Sequence, residues 1–239
     1  MKILVIAAHP DDEVLGMGGT IKKLVKNNDK IKIVILATGI AARRSTNFQN
    51  NTNYRINEKA KKIIEYQIKE IRSQAKRAAK ILGVNDIEFL DFPDNEMDTV
   101  SNLKITKTVE SIINKFKPNK IFTHSPFDVN IDHRLIYQAT LTATRPNSQR
   151  NVEEVYSFEV PSSTEWSFPT SFQPNVFIDI SKELKVKLKA MNMYKKEVKP
   201  FPHPRSLKTL EHIAKRWGSV SGFSAAEAFY LVRQLKKQF

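Results

Sequence analysis

The stretch MKILVIAAHPDDEVLGMGGT, residues 1–20, decides the fold. Its first eight residues form an apolar run of the length of one buried strand, and an amphipathic segment follows after a polar turn. Four titratable residues stand within five positions of that turn, namely His9, Asp11, Asp12 and Glu13. A strand that leads directly into a helix is typical of a parallel α/β sheet. These side chains are therefore expected at the end of the first strand.

The same alternation continues along the 239 residues, which suit a single domain, 1–239. Largely apolar strands such as IKIVILAT predict a Rossmann-like α/β fold, a mostly parallel sheet with helices on both faces. The predicted strands span residues 2–8, 31–38, 87–92, 120–124, 155–160 and 176–180. The predicted helices span residues 15–26, about 54–82, 103–116, 131–144, 182–194, about 207–217 and about 225–237.

The composition excludes several classes of protein. There are no cysteines, so disulfides and thiolate metal sites are excluded and a metal would be held by His, Asp or Glu. No apolar run approaches the ~20 residues of a membrane span, and we expect a cytoplasmic protein. The net charge of +14 would suit an anionic partner, but the lysines are scattered as on solvated helix faces, and we expect no nucleic-acid partner. The sequence does not decide whether the protein forms a homo-oligomer.

Polar residues follow each of the first four predicted strands. Ligands of such sheets bind outside the carboxyl ends of the strands, so a site is expected where these residues meet. The polar segment ARRSTNFQNNTNYRINE, residues 42–58, follows the second strand and is interpreted as a mobile loop that gates this site.

Two simple explanations for HPDDE are helix capping and dinucleotide binding. An aspartate at 11 or 12 could cap the following helix, but capping does not explain three carboxylates and a histidine. A G-x-G-x-x-G motif that begins at Gly16 would need glycine at position 21, which is Ile21. A metal site remains, because His9 and Asp12 can converge on one cation with a third ligand from elsewhere. Asp11 could then take a proton from the bound water.

The second motif, THSPFDVNIDHRLIYQATLTATRP, residues 123–146, follows the fourth predicted strand. Taken alone, His133 would be an ordinary residue in the first turn of a helix. Beside the first motif, the role of a metal ligand is favoured. The other titratable residues of this motif are His124, Asp128 and Asp132.

AHPDDE at residues 8–13, FPDN at 92–95 and DH at 132–133 together resemble the PIG-L/LmbE-like zinc-dependent deacetylases. The resemblance extends from Lys2 to AEAF near the C-terminus. It implies removal of an acetyl group from an N-acetylglucosamine-type amide, with one Zn²⁺ held by His9, Asp12 and His133 and with Asp11 as the general base. The partner would be an N-acetylated sugar or sugar conjugate, either free, nucleotide-linked, lipid-linked or a thiol-precursor glycoside.

Other residues are also expected to contribute, and the resemblance suggests sugar contacts from Arg72 and Asp94. Asp132 would hold a metal ligand in place, which supports catalysis from outside the ligand set. Substrate contacts are expected from Arg72, Asp94, His124 and Asp128.

The chain departs from the family pattern at NIDH, residues 130–133, where many members have His-Pro-Asp-His. Asn130 could donate a hydrogen bond to an oxyanion or merely cap a helix, but it cannot donate a catalytic proton. That proton would come from Asp11, His124 or His203, and His203 could equally be an ordinary loop residue.

Two rival functions remain. One is a non-catalytic module that binds anions or nucleic acid, which the charge favours and the scattered lysines oppose. The other is a metal-dependent phosphoesterase, because activated water serves both reactions.

Overall fold

A computed structural model describes residues 1–40, 58–146, 152–169 and 172–236. It confirms the predicted α/β class, with a seven-stranded sheet in the order β3-β2-β1-β4-β5-β7-β6. Strands β1 to β5 are parallel, and β7 lies antiparallel between β5 and β6. The strands are β1 Lys2–Ala7, β2 Lys30–Ala37, β3 Asp86–Phe92, β4 Lys120–His124, β5 Glu154–Phe158, β6 Val176–Asp179 and β7 Ala226–Gln234. The helices are α1 Asp12–Lys26, α2 Glu58–Leu82, α3 Asn102–Phe116, α4 Ile131–Ala143, α5 Leu184–Met191 and α6 Leu207–Ser221.

Strand β1 occupies the point at which the chain changes direction across the sheet. Its residue Ile3 is paired with Ile31 of β2 on one side and with Lys120 of β4 on the other. The chain leaves β1 toward β2 and returns later to the opposite side at β4, so a crevice opens between the ends of β1 and β4. The two sequence motifs begin at these two strand ends.

Two helix layers bury the faces of the sheet. On one face, Leu15 and Ile21 of α1 join a core that also includes residues of α2, α5 and α6. On the other face, Ile105 and Val109 of α3 pack with Ile136 of α4. Among the described residues, no helix combines the length and apolar character that crossing a membrane requires.

The glycines of the first motif lie inside α1. A Cβ atom on Gly16 would stand 2.3 Å from the Phe158 ring, and one on Gly19 would stand 2.8 Å from Ile180. Both distances are far shorter than van der Waals contact. The glycines therefore allow α1 to pack closely against its neighbours.

The predicted helix over residues 225–237 is wrong, because residues Ala226–Gln234 form strand β7. Alanine, glutamate, arginine and lysine favour a helix locally, but pairing with β5 and β6 on both sides overrides that preference. The predicted gating loop, residues 42–58, lies outside the described residues except for Glu58, the first described residue of α2.

Candidate metal centre

Three atoms from the two motifs form a nearly equilateral triangle in the crevice. His133 Nε2 lies 3.3 Å from His9 Nδ1 and 3.3 Å from Asp12 Oδ2. His9 Nδ1 lies 3.4 Å from the same Asp12 oxygen. All three residues are buried, and their ligand atoms are close enough to hold one ion. The fold thus brings the three predicted metal ligands together.

The triangle fits a small divalent ion. Three ligands of a tetrahedral zinc site, each about 2.0–2.2 Å from the ion, lie roughly 3.3–3.5 Å apart. Asp12 Oδ1 is buried and receives no hydrogen bond from the described residues. Burial lowers the pKa of His133, yet the neighbouring carboxylates Asp12 and Asp128 outweigh it and raise this pKa to about 9. The same negative charge would attract a cation.

The outer nitrogen of His9 faces two carboxylates. His9 Nε2 lies 3.0 Å from Asp132 Oδ2 and 3.0 Å from Asp94 Oδ1. Asp132 is fully buried and accepts backbone N–H bonds from Asn95 at 2.7 Å and Met97 at 3.1 Å. A histidine whose outer N–H points at a carboxylate presents its other nitrogen to a metal. Asp132 and Asp94 thus orient His9, and Asp94 also borders the cavity described below.

Asp128 lies close to the outer nitrogen of His133. Its Oδ2 lies 3.1 Å from His133 Nδ1, and the hydroxyls of Ser163 and Thr164 donate to the same carboxylate. These contacts lower the pKa of Asp128 against the effect of burial. Asp128 contacts His133 and is not among the described residues that line the cavity, and its contact with substrate stays a prediction.

Asp11 lies beside the triangle with an unusual backbone. It occupies the N-cap position of α1 with a φ of 109°, but its side chain makes no capping hydrogen bond. Glu13 Oε2 accepts the Asp11 N–H at 3.1 Å, and the hydroxyl of Tyr194 donates to the other Glu13 oxygen. Simple capping is therefore not the role of Asp11. The strained backbone directs its carboxylate toward the cavity instead.

The carboxylate of Asp11 is buried and faces Arg205. Burial raises the pKa of Asp11 to about 7, although Arg205 opposes this rise. Arg205 Nη1 lies 3.2 Å from Asp11 Oδ2 and donates to Glu197 Oε2 at 3.0 Å. Sequence reasoning missed Arg205 and Glu197, because both lie in an irregular segment without a motif.

These side chains border a polar cavity of about 200 Å³. The cavity lies beside the candidate ion site and is smaller than the roughly 300–1,000 Å³ of typical small-molecule sites, so it suits one small polar group. Its described lining includes His9, Asp11, Asp94, Asn130 and Arg205.

Two of the three candidates for the catalytic acid lie outside this lining. His124 is fully buried, and its Nε2 accepts the Ala8 N–H at 2.8 Å. Burial lowers the pKa of His124 well below the usual value, so this ring is neutral and has no proton at Nε2 to give. His203 lies in a partly exposed loop, and its Nδ1 accepts the backbone N–H of Arg205 at 3.0 Å.

Asn130 caps α4 and also borders the cavity. Its Oδ1 accepts the Asp132 N–H at 2.9 Å, and its Nδ2 donates to Asn95 Oδ1 at 2.8 Å. A carboxamide nitrogen has two hydrogens, so one N–H of Asn130 stays available for a ligand. Asn130 therefore caps α4, and its other suggested role, donation of a hydrogen bond to an oxyanion, stays a prediction.

Arg72 lies on α2 and is bound to the end of β3. Its Nη2 donates to Leu90 O at 2.9 Å and to Asp91 Oδ1 at 2.5 Å. It is absent from the described lining of the cavity, and its contact with substrate stays a prediction.

The chain is similar in sequence to known deacetylases. The chain is 29% identical to diacetylchitobiose deacetylase of Thermococcus kodakarensis over 97% of the chain and 83% of that protein. It is 25% identical to a probable N-acetyl-alpha-D-glucosaminyl L-malate deacetylase 2 of Bacillus cereus, over 82% of the chain and 83% of that protein.

Solved structures show the same fold. N,N'-diacetylchitobiose deacetylase of Pyrococcus horikoshii has a TM-score of 0.74 at 23% identity, covering 97% of this chain and 83% of that one. GalB of Pseudomonas putida, a 4-carboxy-2-hydroxymuconate hydratase, also has a TM-score of 0.74, at 19% identity and with coverage of 100% and 98%. The fold alone therefore does not select one reaction.

The family model for GlcNAc-PI de-N-acetylase matches residues 4–144, which include both motifs and more than half of the chain. The chain belongs to the PIG-L family of deacetylases.

Proposed function

We propose that this protein is a zinc-dependent hydrolase that removes the acetyl group from an N-acetylated amino sugar. The observation that carries the proposal is the triangle of His9 Nδ1, Asp12 Oδ2 and His133 Nε2, with Asp11 beside it at a polar cavity. The names of the relatives, which are deacetylases of diacetylchitobiose and of a glucosaminyl malate, support the class of substrate.

The three ligand residues would hold one divalent ion through two imidazole nitrogens and one carboxylate oxygen. Such an ion lowers the pKa of water and polarises an amide carbonyl. Zinc suits this ligand set, because catalytic zinc sites use three protein ligands of these types. Asp132, Asp94 and Asp128 would keep the two imidazoles in the tautomers that binding requires.

Asp11 would act as the general base. Its pKa of about 7 allows it to accept the proton of the attacking water near neutral pH. The water oxygen then bonds to the acyl carbon, and negative charge develops on the carbonyl oxygen. The free N–H of Asn130 would donate to that oxygen from the cavity wall.

The leaving amine needs a proton when the carbon–nitrogen bond breaks. His124 carries no proton at the nitrogen that accepts the Ala8 N–H, and His203 lies outside the described lining of the cavity. We therefore assign both transfers to Asp11, which would give the amine the proton that it took from water. Acetate and the free amino sugar are the products.

A test is acetate release from N-acetylglucosamine and N,N'-diacetylchitobiose with zinc present. The Asp11→Asn variant should keep its fold and its metal but lose activity by about 10²–10⁴-fold, because an amide cannot accept the proton. Asp98→Asn removes an exposed carboxylate and is the matched control. Near-normal turnover by a metal-loaded Asp11→Asn protein would contradict the assigned role, and absence of acetate from every N-acetylated sugar would contradict the proposed activity.

A further inference from the structure

Asp11 has a backbone conformation that its own side chain does not explain. Its φ of 109° lies in the left-handed region, and its carboxylate makes no capping hydrogen bond. In a residue other than glycine, such a conformation persists only where neighbouring groups impose it. The Asp11 carbonyl accepts the N–H groups of Val14 at 3.0 Å and Leu15 at 2.8 Å, so the first turn of α1 fixes that side of the residue. The other side is held through the Asp11 N–H.

The partner of that N–H is Glu13, the one carboxylate of the first motif that has no role in the proposed reaction. Glu13 Oε2 accepts the Asp11 N–H at 3.1 Å. Glu13 is fully buried, and none of the described residues forms an ion pair with it. A buried carboxylate without a cation depends on hydrogen bonds, and the hydroxyl of Tyr194 donates one to its other oxygen. Glu13 therefore links the Asp11 backbone to Tyr194.

Tyr194 belongs to a turn that reaches Asp11 by two routes. Its side chain is fully buried in the segment that follows α5. The Tyr194 carbonyl accepts the N–H of Glu197 at 3.0 Å, which fixes these two residues relative to each other. Glu197 accepts from Arg205, whose Nη1 lies 3.2 Å from the Asp11 carboxylate. The turn thus acts on the backbone of Asp11 through Glu13 and on its carboxylate through Arg205.

We propose that Tyr194 is a positioning residue for the general base. Its hydroxyl fixes Glu13, Glu13 holds the Asp11 N–H, and the left-handed backbone directs the Asp11 carboxylate to the polar cavity. This inference rests on the proposed function, in which Asp11 takes the proton of water. Without the hydroxyl, Glu13 loses a buried donor and the Asp11 peptide is free to rotate. A small displacement of a catalytic group lowers the rate steeply.

Hydrogen exchange tests the hold on Asp11 without any substrate. Tyr194→Phe keeps the ring and removes the hydroxyl. By NMR, we expect its Asp11 N–H to exchange about tenfold faster, while the Val5 N–H of β1 exchanges as before. Tyr156→Phe is the matched control, because the Tyr156 hydroxyl donates to Glu154 at 2.7 Å and neither residue lines the polar cavity. Unchanged exchange at Asp11 in Tyr194→Phe would overturn the inference.

Two changes at Glu13 keep the test decisive if Tyr194→Phe does not fold. Glu13→Gln keeps an oxygen that can accept the Asp11 N–H, whereas Glu13→Leu offers no acceptor. Exchange at Asp11 should stay slow in the first variant and become fast in the second. The same rate in both variants would show that Glu13 does not hold Asp11 and would overturn the inference.

Kinetics show whether the hold acts through the base. With an N-acetylated sugar, Tyr194→Phe should lower kcat about tenfold and leave KM and zinc affinity unchanged. In an Asp11→Asn background the same change should have no further effect, because no base is left to position. Equal losses in both backgrounds, or a change confined to KM, would overturn the positioning role. If no N-acetylated sugar is hydrolysed, the proposed function fails, and the exchange rates alone decide whether Tyr194 holds Asp11.

Discussion

The parallel part of the sheet and the C-terminal part of the chain contribute to the site in different ways. The segments that follow strands β1 and β4 contain His9, Asp12 and His133, the three residues of the ligand triangle. The C-terminal part supplies no ligand of that triangle, but Arg205 and Tyr194 contact the carboxylates beside it. The reactive groups thus follow strand ends in short motifs, whereas Arg205 and Tyr194, which contact the carboxylates beside the triangle, come from far along the chain.

Helix α1 is also held by residues of the C-terminal part. Its backbone is kinked at Met17, which has a φ of −149°. Glu227 of β7 accepts the N–H groups of Gly19 at 2.9 Å and Thr20 at 2.6 Å, which lie just beyond the kink. Lys187 neutralises this buried carboxylate at 2.6 Å and donates to Leu15 O at 2.8 Å. The C-terminal part therefore holds the helix that follows the first motif.

The largest expected effect comes from removing Glu227, which supports α1. Glu227→Ala should lower the free energy of unfolding by about 3–5 kcal/mol, because it leaves the buried Lys187 charge and two N–H groups unpaired. Urea unfolding measures the change. Glu211→Ala removes an exposed carboxylate paired with Lys215 and should change stability little. Similar losses of unfolding free energy in the two variants would contradict the role of Glu227 in stabilising α1.

The next effect tests a support within the parallel part. Asp128→Asn should weaken zinc binding by about 10–100-fold, because the carboxylate that holds His133 loses its charge. Competition with a chromophoric chelator measures the affinity, and Asp98→Asn serves as the exposed control. Unchanged affinity in a folded Asp128→Asn protein would contradict the role of Asp128 in orienting His133.

A smaller effect is expected at Arg205. Its positive charge lowers the pKa of Asp11, while burial raises it. Arg205→Gln should therefore raise that pKa, so less of the base is ionised near pH 7 and kcat/KM should fall by up to about 10-fold. The rise of kcat/KM with pH should move to higher pH. Arg216→Gln on α6, where Arg216 packs over Trp217, is the control. A pH profile of kcat/KM that is unchanged or moves to lower pH would contradict the effect of Arg205 on the pKa of Asp11.

The sequence predicted the parallel part well for a physical reason. His9 and Asp12 stand two and five positions after the end of β1, and His133 stands nine positions after the end of β4, at the start of the next helix. Parallel strands bring those ends to one edge of the sheet. Hydrophobic runs identified the strands, so the convergence of His9, Asp12 and His133 followed from local patterns.

The C-terminal part was predicted less well because tertiary contacts determine it. Strand β7 has a helix-favouring sequence and forms by pairing with two strands. Arg205 reaches Asp11 from a loop that lies nearly two hundred positions away, and nothing around it in the sequence signals that contact. Asp128 and His124 were predicted to contact substrate because their motif lies at the site; both are buried against His133, a contact that the motif alone does not reveal.

The central claim is that this chain hydrolyses an acetamide with one metal ion held by the ligand triangle. The most direct measurement is acetate release from an N-acetylated sugar by chelator-treated protein during titration with Zn²⁺. The account predicts no release without metal, full activity near one ion per chain, and no recovery in a folded His133→Ala variant. Full activity without metal, or equal recovery in His133→Ala, would contradict it.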